Sequence, residues 1–196
     1  MSLEGDNIFD GYKKMGYFCL GTGGVRWFRS KLLTQYFDKF LYWGCDDFHD
    51  VFTQREKKDF SLLHAEELID ELNEHDKWLL FINSQETHVP YDVGNGITAE
   101  VKDILQKANS LWGGKIKNTN EKYLSNNEFK VLHDMQIRAL EEVDKRIEHL
   151  VNSISGTKLV VICGDHGEAF GENGMYGHGF PDKVVTDVPL LISIVN

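Results

Sequence analysis

Asp165 and His166 stand side by side in Cys163-Gly164-Asp165-His166-Gly167-Glu168, directly after the apolar stretch Leu159-Val160-Val161-Ile162. A carboxylate oxygen and an imidazole nitrogen make a ligand pair for one divalent cation, and flanking glycines let the backbone turn so that both converge. Standing alone, the same dipeptide is more often a turn cap beside a partly buried histidine than a ligand pair. Further on, the glycine-rich run Gly171-Glu172-Asn173-Gly174 leads to His178 between Gly177 and Gly179, and the chain returns to apolar residues at Val188-Pro189-Leu190-Leu191-Ile192. A separate histidine, His88 in Thr87-His88-Val89-Pro90-Tyr91, follows the apolar run from Trp78 to Ile82. Glu168 and Glu172 are suited to orient a ligating imidazole, or simply to solvate a loop. Cys163 sits within the apolar stretch and reads as a small packing side chain rather than a nucleophile.

The elements that must position these residues follow from periodicity. Ser125-Asn126-Asn127-Glu128 has the form of a capping box, and Phe129, Leu132, Gln136, Leu140, Val143, Ile147 and Leu150 follow at helical spacing, which predicts a long helix. Shorter helices are predicted over 7–15, 64–75 and 99–108. Trp78–Ile82, Lys158–Cys163 and the stretch after Pro189 are apolar without alternation, the pattern of strands buried on both faces. Tyr17–Leu20 and part of Phe37–Trp43 read as short strands, Gly21-Thr22-Gly23-Gly24 as a turn, and Asp46–Asp59 as irregular. Helices alternate with buried strands, so the fold class is α/β, with a mostly parallel sheet covered by helices. Both histidine-bearing loops then lie beyond C-terminal strand ends, where open α/β sheets bind ligands.

Composition sets the outer limits. With 196 residues, 41% of them hydrophobic, the chain suits one substantial core. Its 31 acidic against 21 basic residues, net charge −10, and the lack of a basic aromatic-laced patch argue against nucleic acid. No apolar run approaches the ~20 residues that span a bilayer. Three widely spaced cysteines, Cys19, Cys45 and Cys163, form no CxxC pair, and a cytoplasmic location is expected.

The run from Asp165 through His178 to Ile192 resembles the sulfatase and phosphoethanolamine-transferase branches of the alkaline-phosphatase superfamily. There a strand ends in Asp-His-Gly-Glu, a glycine-rich loop leads to His-Gly, and a Val-Pro-Leu strand follows. Thr87-His88-Val89-Pro90-Tyr91 is similar to the Thr-His-x-Pro-Tyr that follows another strand of those families. Trp27-Phe28-Arg29 resembles the Trp-x-Arg of lipoteichoic-acid-synthase relatives, where many sulfatases instead carry Gly-Lys-Trp-His. The resemblance implies a partial alkaline-phosphatase-like domain over residues 7–196, truncated at its N-terminal side, with residues 1–6 set apart as a leader. It implies that Asp165 and His166 are primary ligands of a divalent cation (Ca, Mn, Zn or Mg). His88 and His178 would bind the transferring group or a second metal, and Arg29 would offer a planar fork to a phosphate or sulfate oxygen. The implied activity is hydrolysis or transfer of a small-molecule sulfate or phosphate ester.

The same resemblance implies a Ser, Thr or formylglycine nucleophile on the metal. No Cys-x-Pro-x-Arg occurs in these 196 residues, and the segment from Asn7 resembles the part of the family that follows the nucleophile helix. The nucleophile is therefore expected outside the chain, and the chain alone is expected to be inactive and to hold metal weakly, since two ligands rarely retain an ion. Two other functions fit the same residues: a sulfatase-like domain kept for binding or regulation, and a two-metal phosphodiesterase or phosphonate hydrolase.

Overall fold

The computed structural model describes residues 7–44, 60–93, 96–109 and 124–196. They fall into two compact units, Met1–Gly96 with Ala139–Ile154, and Ile97–Arg138 with Ser155–Asn196. The stretch 46–59, read as irregular, lies outside the described residues.

In the first unit, Asn7 caps helix α1 (Ile8–Lys14), its side chain accepting from the Asp10 amide, and Gly16 at φ 81° follows the helix end. Strand β1 (Phe18–Gly23) lies between β2 (Lys39–Tyr42) and β3 (Trp78–Asn83), parallel to both. In-register pairs such as Leu20↔Lys39 and Leu20↔Leu80 fix which side chains share a face. On one face, Leu20, Leu80 and Ile82 pack against Leu68, Ile69 and Leu72 of α3 (Ala65–Asn73) and against Val143 and Leu150 of α5 (Asn126–Ser153). That apolar burial is the main source of stability for the sheet, at about 25 cal/mol per Å² removed from water.

The opposite face explains a departure from expectation. Gly21-Thr22-Gly23 is not a turn but the second half of β1. Gly21 and Gly23 are two apart and so share a face, where a Cβ on Gly21 would lie 2.5 Å from the Phe40 ring and 2.6 Å from Phe37, and one on Gly23 would lie 3.1 Å from Phe28. The glycines make room for an aromatic cluster in which Phe9 and Phe37 centroids are 4.4 Å apart and Phe28 stacks on Phe40 at 5.2 Å. Gly21→Ala is expected to cost about 1–3 kcal/mol of unfolding free energy by overpacking, read as a lowered urea midpoint. A neutral result would mean that the rings yield freely.

In the second unit the capping box forms as predicted: the Ser125 amide donates to Glu128 Oε2 at 2.7 Å, and the Glu128 amide donates back to Ser125 Oγ at 3.3 Å. These bonds hold the Glu128 carboxyl below the ordinary range. Leu132 of α5 is buried, as are Ile104, Leu105 and Ala108 of α4 (Ala99–Asn109). Strand β4 (Lys158–Cys163) pairs antiparallel with β7 (Leu190–Val195), from Lys158↔Val195 to Cys163↔Leu190. Both strands were expected to be buried, yet Leu159, Leu190, Ile192 and Ile194 are 63–71% exposed, and Cys163 is exposed as well. The physical reason is that a two-stranded sheet supplies no cover of its own.

Candidate metal centre

The loop after β4 is shaped by close backbone contacts. Gly164 N–H donates to Pro189 O at 3.2 Å, and Gly167 N–H donates to Val185 O at 2.8 Å. A Cβ on Gly167 would lie 2.0 Å from Val184 O, so no other residue fits there without moving α6 (Lys183–Thr186). That short helix is fixed by Asp182, whose Oδ1 accepts from the Val184 amide at 3.0 Å.

A small hairpin then brings distant residues together. Strand β5 (Ala169–Phe170) pairs antiparallel with β6 (Tyr176–Gly177), and the register Ala169↔Gly177 sets Glu168 opposite His178 across the open end of the pair. The turn between them uses positive φ at Gly171 (108°), Asn173 (52°) and Gly174 (73°), conformations that glycine and asparagine tolerate best. Buried Ala169 and Tyr176 anchor the hairpin, and Phe129 of α5 packs on Gly171, where a Cβ would meet the ring at 2.8 Å.

His178 Nδ1 lies 2.9 Å from Glu168 Oε2, and the His166 and His178 rings are 3.9 Å apart between centroids, tilted by 33°. His166, Glu168 and His178 each offer one ligand atom within 4.8 Å of the others. The Glu168 side chain is only 4% exposed, and its second oxygen, Oε1, is buried with no hydrogen-bond partner. His166 Nδ1 is 2.9 Å from Gly167 O, so Nδ1–H donates there and Nε2 keeps its lone pair for a ligand. Neutral imidazole and carboxylate are ligand forms suited to a divalent cation.

Of the residues singled out from sequence, the structure brings His166 and His178 together. Asp165 is adjacent but turned out: its side chain is 76% exposed, and Oδ1 accepts from the His166 amide at 3.1 Å while lying 3.8 Å from His166 Nε2. Glu168 is the member that sequence reasoning left undecided between orienting a ligand and solvating a loop. The hairpin register identifies it, and that register depends on the turn at 171–174.

His88 and Arg29 belong to the first unit. His88 is half-buried in the loop after β3, its amide donating to Gln85 O at 3.1 Å, ahead of a cis Val89–Pro90 bond and of Tyr91 at φ 59°. Arg29 ends a 3₁₀ turn with its guanidinium 5.9 Å from the centre of the Tyr42 ring. The neighbouring Trp27 is 72% exposed, not part of a core.

Solved structures share this fold. The C-terminal periplasmic domain of EcEptC from Escherichia coli in complex with Zn is 16% identical with a TM-score of 0.62, the match covering 97% of this chain and 52% of that one. The soluble domain of lipooligosaccharide phosphoethanolamine transferase A from Neisseria meningitidis is 18% identical, TM-score 0.59, covering 96% and 54%. Phosphonate monoester hydrolase of Agrobacterium radiobacter is 15% identical, TM-score 0.62, covering 98% and 53%. The chain thus spans about half the length of the solved chains it matches. No match to a curated protein is found.

One expectation is overturned here. The cytoplasmic location, argued from cysteine spacing, is contradicted by the matching E. coli domains, which are periplasmic. Cysteines too far apart in sequence to suggest a pair say little about the compartment, because an oxidising environment does not require every thiol to be bridged. No helix among the described residues is long and apolar enough to cross a membrane. A match to the sulfatase model from residue 3 to residue 193, nearly the whole chain, carries the family assignment that the Asp165–His178 loop suggested: the chain belongs to the sulfatase family.

Proposed function

We propose that the protein is a metal-dependent hydrolase or transferase of phosphate or sulfate esters, acting outside the cytoplasm, with the loop after β4 as its metal centre. The observation that carries this reading is the grouping of His166, His178 and the buried carboxylate of Glu168 beyond the C-terminal end of β4. Such a group fits a divalent cation better than it fits a structural role, because a buried carboxylate oxygen without a partner is costly unless a positive charge faces it.

A bound cation would supply Lewis-acid polarisation of the ester and activation of an oxygen nucleophile. His166 would hold such a cation through Nε2, and Asp165, the next residue along the backbone, offers a further carboxylate. Gly167 keeps the loop pressed on α6 so that these ligands do not drift. His88 and Arg29, in the first unit, carry side chains whose chemistry suits hydrogen bonding to phosphate or sulfate oxygens. Phosphorus is favoured over sulfur, because the matching solved structures include a phosphoethanolamine transferase and a phosphonate hydrolase. The activity proposed is that of a protein as long as those relatives.

The test is turnover of p-nitrophenyl phosphate, p-nitrophenyl sulfate and a phosphonate monoester by the protein at its full encoded length. Hydrolysis of at least one ester is expected, lost on chelation and restored by Zn, Mn, Ca or Mg. Failure with all three esters in every metal would refute the enzymatic reading and leave a binding domain.

A further inference from the structure

We propose that the helical layer over the glycine-lined face of the sheet docks its outer side on an anionic lipid bilayer, with Trp27 as apolar anchor and Arg26 and Lys31 as cations. This surface lies wholly in the first unit and does not depend on the reading of the loop after β4.

Charge is concentrated there by the sequence itself. From Gly11 to Phe37 the chain carries Lys13, Lys14, Arg26, Arg29 and Lys31 and not one Asp or Glu, although its net charge is −10. The whole-chain balance conceals this stretch, which corrects the expectation that no basic patch with interleaved aromatics is present. The fold then turns it outward. Phe9 of α1 and Phe28 of the 3₁₀ turn Arg26–Arg29 both pack on Phe81, at 6.1 and 5.9 Å between ring centroids, so these two elements cover one face of the sheet. With Phe28 directed at the sheet, the adjacent Trp27 faces away and is 72% exposed. Ser30 Oγ accepts from the Leu32 amide at 3.2 Å and starts α2 (Lys31–Thr34), which sets exposed Lys31 and Leu32 next to the turn. On α1, Ile8 and Met15 are exposed as well.

Side-chain chemistry then chooses the partner. Tryptophan is highly buried on average, so an exposed one between cations calls for a surface that takes both. Its ring joins an apolar body to a polar N–H, the combination that settles at the boundary between headgroups and acyl chains. Arg26 and Lys31 complement lipid phosphates, and their aliphatic stems lie along apolar surface while the charged ends stay in water. A nucleic acid offers the same phosphate charge, but the aliphatic Ile8, Met15 and Leu32 find no counterpart on its backbone. An anionic bilayer satisfies the cations and the aliphatic groups together. Binding of this kind lies in the plane of the interface and needs no membrane-crossing helix.

The 196-residue chain is titrated with vesicles of equimolar phosphatidylglycerol and phosphatidylcholine, and with vesicles of phosphatidylcholine alone, by co-sedimentation and tryptophan emission. Wild type is expected to bind the anionic vesicles, more weakly as salt rises. Its emission is expected to shift to the blue and to be quenched by lipids brominated in the acyl chain. Trp27→Ala is expected to bind about tenfold more weakly and to lose the shift, although three other tryptophans remain. The double variant Arg26→Glu with Lys31→Glu is expected to bind at least about 25-fold more weakly, since each cation at an anionic bilayer contributes about fivefold. Arg29 is left intact, because its chemistry belongs to the proposed ester site. Far-UV circular dichroism is the folding control, and Leu32→Asn and Lys31→Gln, expected to weaken binding in the same direction, replace any variant that unfolds.

No binding to anionic vesicles at low salt overturns the proposal, and so does equal binding by wild type, W27A and R26E/K31E. Equal binding to neutral and anionic vesicles overturns it by removing the role of charge. A preference for single-stranded DNA over vesicles, lost in R26E/K31E, overturns it in favour of nucleic acid.

Discussion

His166→Ala, made in the protein at its full encoded length, is expected to lower kcat/KM by about 10³-fold or more and to abolish stoichiometric metal binding in the same preparation. The magnitude follows from the several kcal/mol that a metal contributes to stabilising transition-state charge, each 1.4 kcal/mol being roughly tenfold in rate. The joint loss is the informative part. Nε2 of His166 has no hydrogen-bond duty of its own, because Nδ1 is bonded to Gly167 O at 2.9 Å. Removing the ring therefore deletes a ligand while the backbone contact of Gly167 with Val185 still shapes the loop. Metal content by atomic emission, measured beside initial rates, checks both. Near-normal turnover with metal retained would remove His166 from the site.

A comparably large effect, on stability, is expected from Glu86→Ala: a loss of about 3–5 kcal/mol, the range for breaking a buried ion pair by removing one partner. Glu86 is fully buried, and its Oε1 accepts from the Leu62 amide at 3.1 Å while its Oε2 accepts from the Ser84 hydroxyl at 2.7 Å. Oε1 also lies 3.9 Å from Nη1 of Arg146, a side chain only 13% exposed that donates through Nη2 to Glu142. Alanine would leave the buried Leu62 amide without its acceptor and Arg146 Nη1 without the carboxylate beside it, Glu142 alone remaining to face the guanidinium. The same carboxylate stands two residues before His88, so it also anchors the loop that presents that histidine. Urea unfolding with an unchanged m-value tests the claim, and Glu86→Gln, which keeps the acceptor and loses the charge, is expected to fall between. A loss below about 1 kcal/mol would show that the pair contributes no more than an exposed one.

Local signals in the sequence settled the elements that depend on local physics. The capping box at Ser125 and Glu128 starts α5 as predicted because its two reciprocal bonds span only three residues. The apolar run Lys158–Cys163 is a strand with those bounds, and the loop after it brings the His166 ring within 3.9 Å of His178. The α/β class and the sulfatase family were legible before any coordinates.

What tertiary structure decided were properties that belong to pairs of distant segments. Gly21 and Gly23 had the composition of a turn and became strand, because the room they leave is filled by Phe37, Phe40 and Phe28 from elsewhere in the chain. The apolar character of β4 and β7 signalled burial, but exposure is set by what lies over a strand, and no residue of the strand encodes that. Glu168 was legible only as an acidic loop residue. Its place beside His178 depends on the register Ala169↔Gly177, and its standing as a site residue depends on burial that leaves one oxygen without a partner. Residue types and spacing thus pointed to the family and to the histidines of the loop, while hairpin register and burial set Glu168 beside His178, because proximity across ten residues is a property of the folded hairpin.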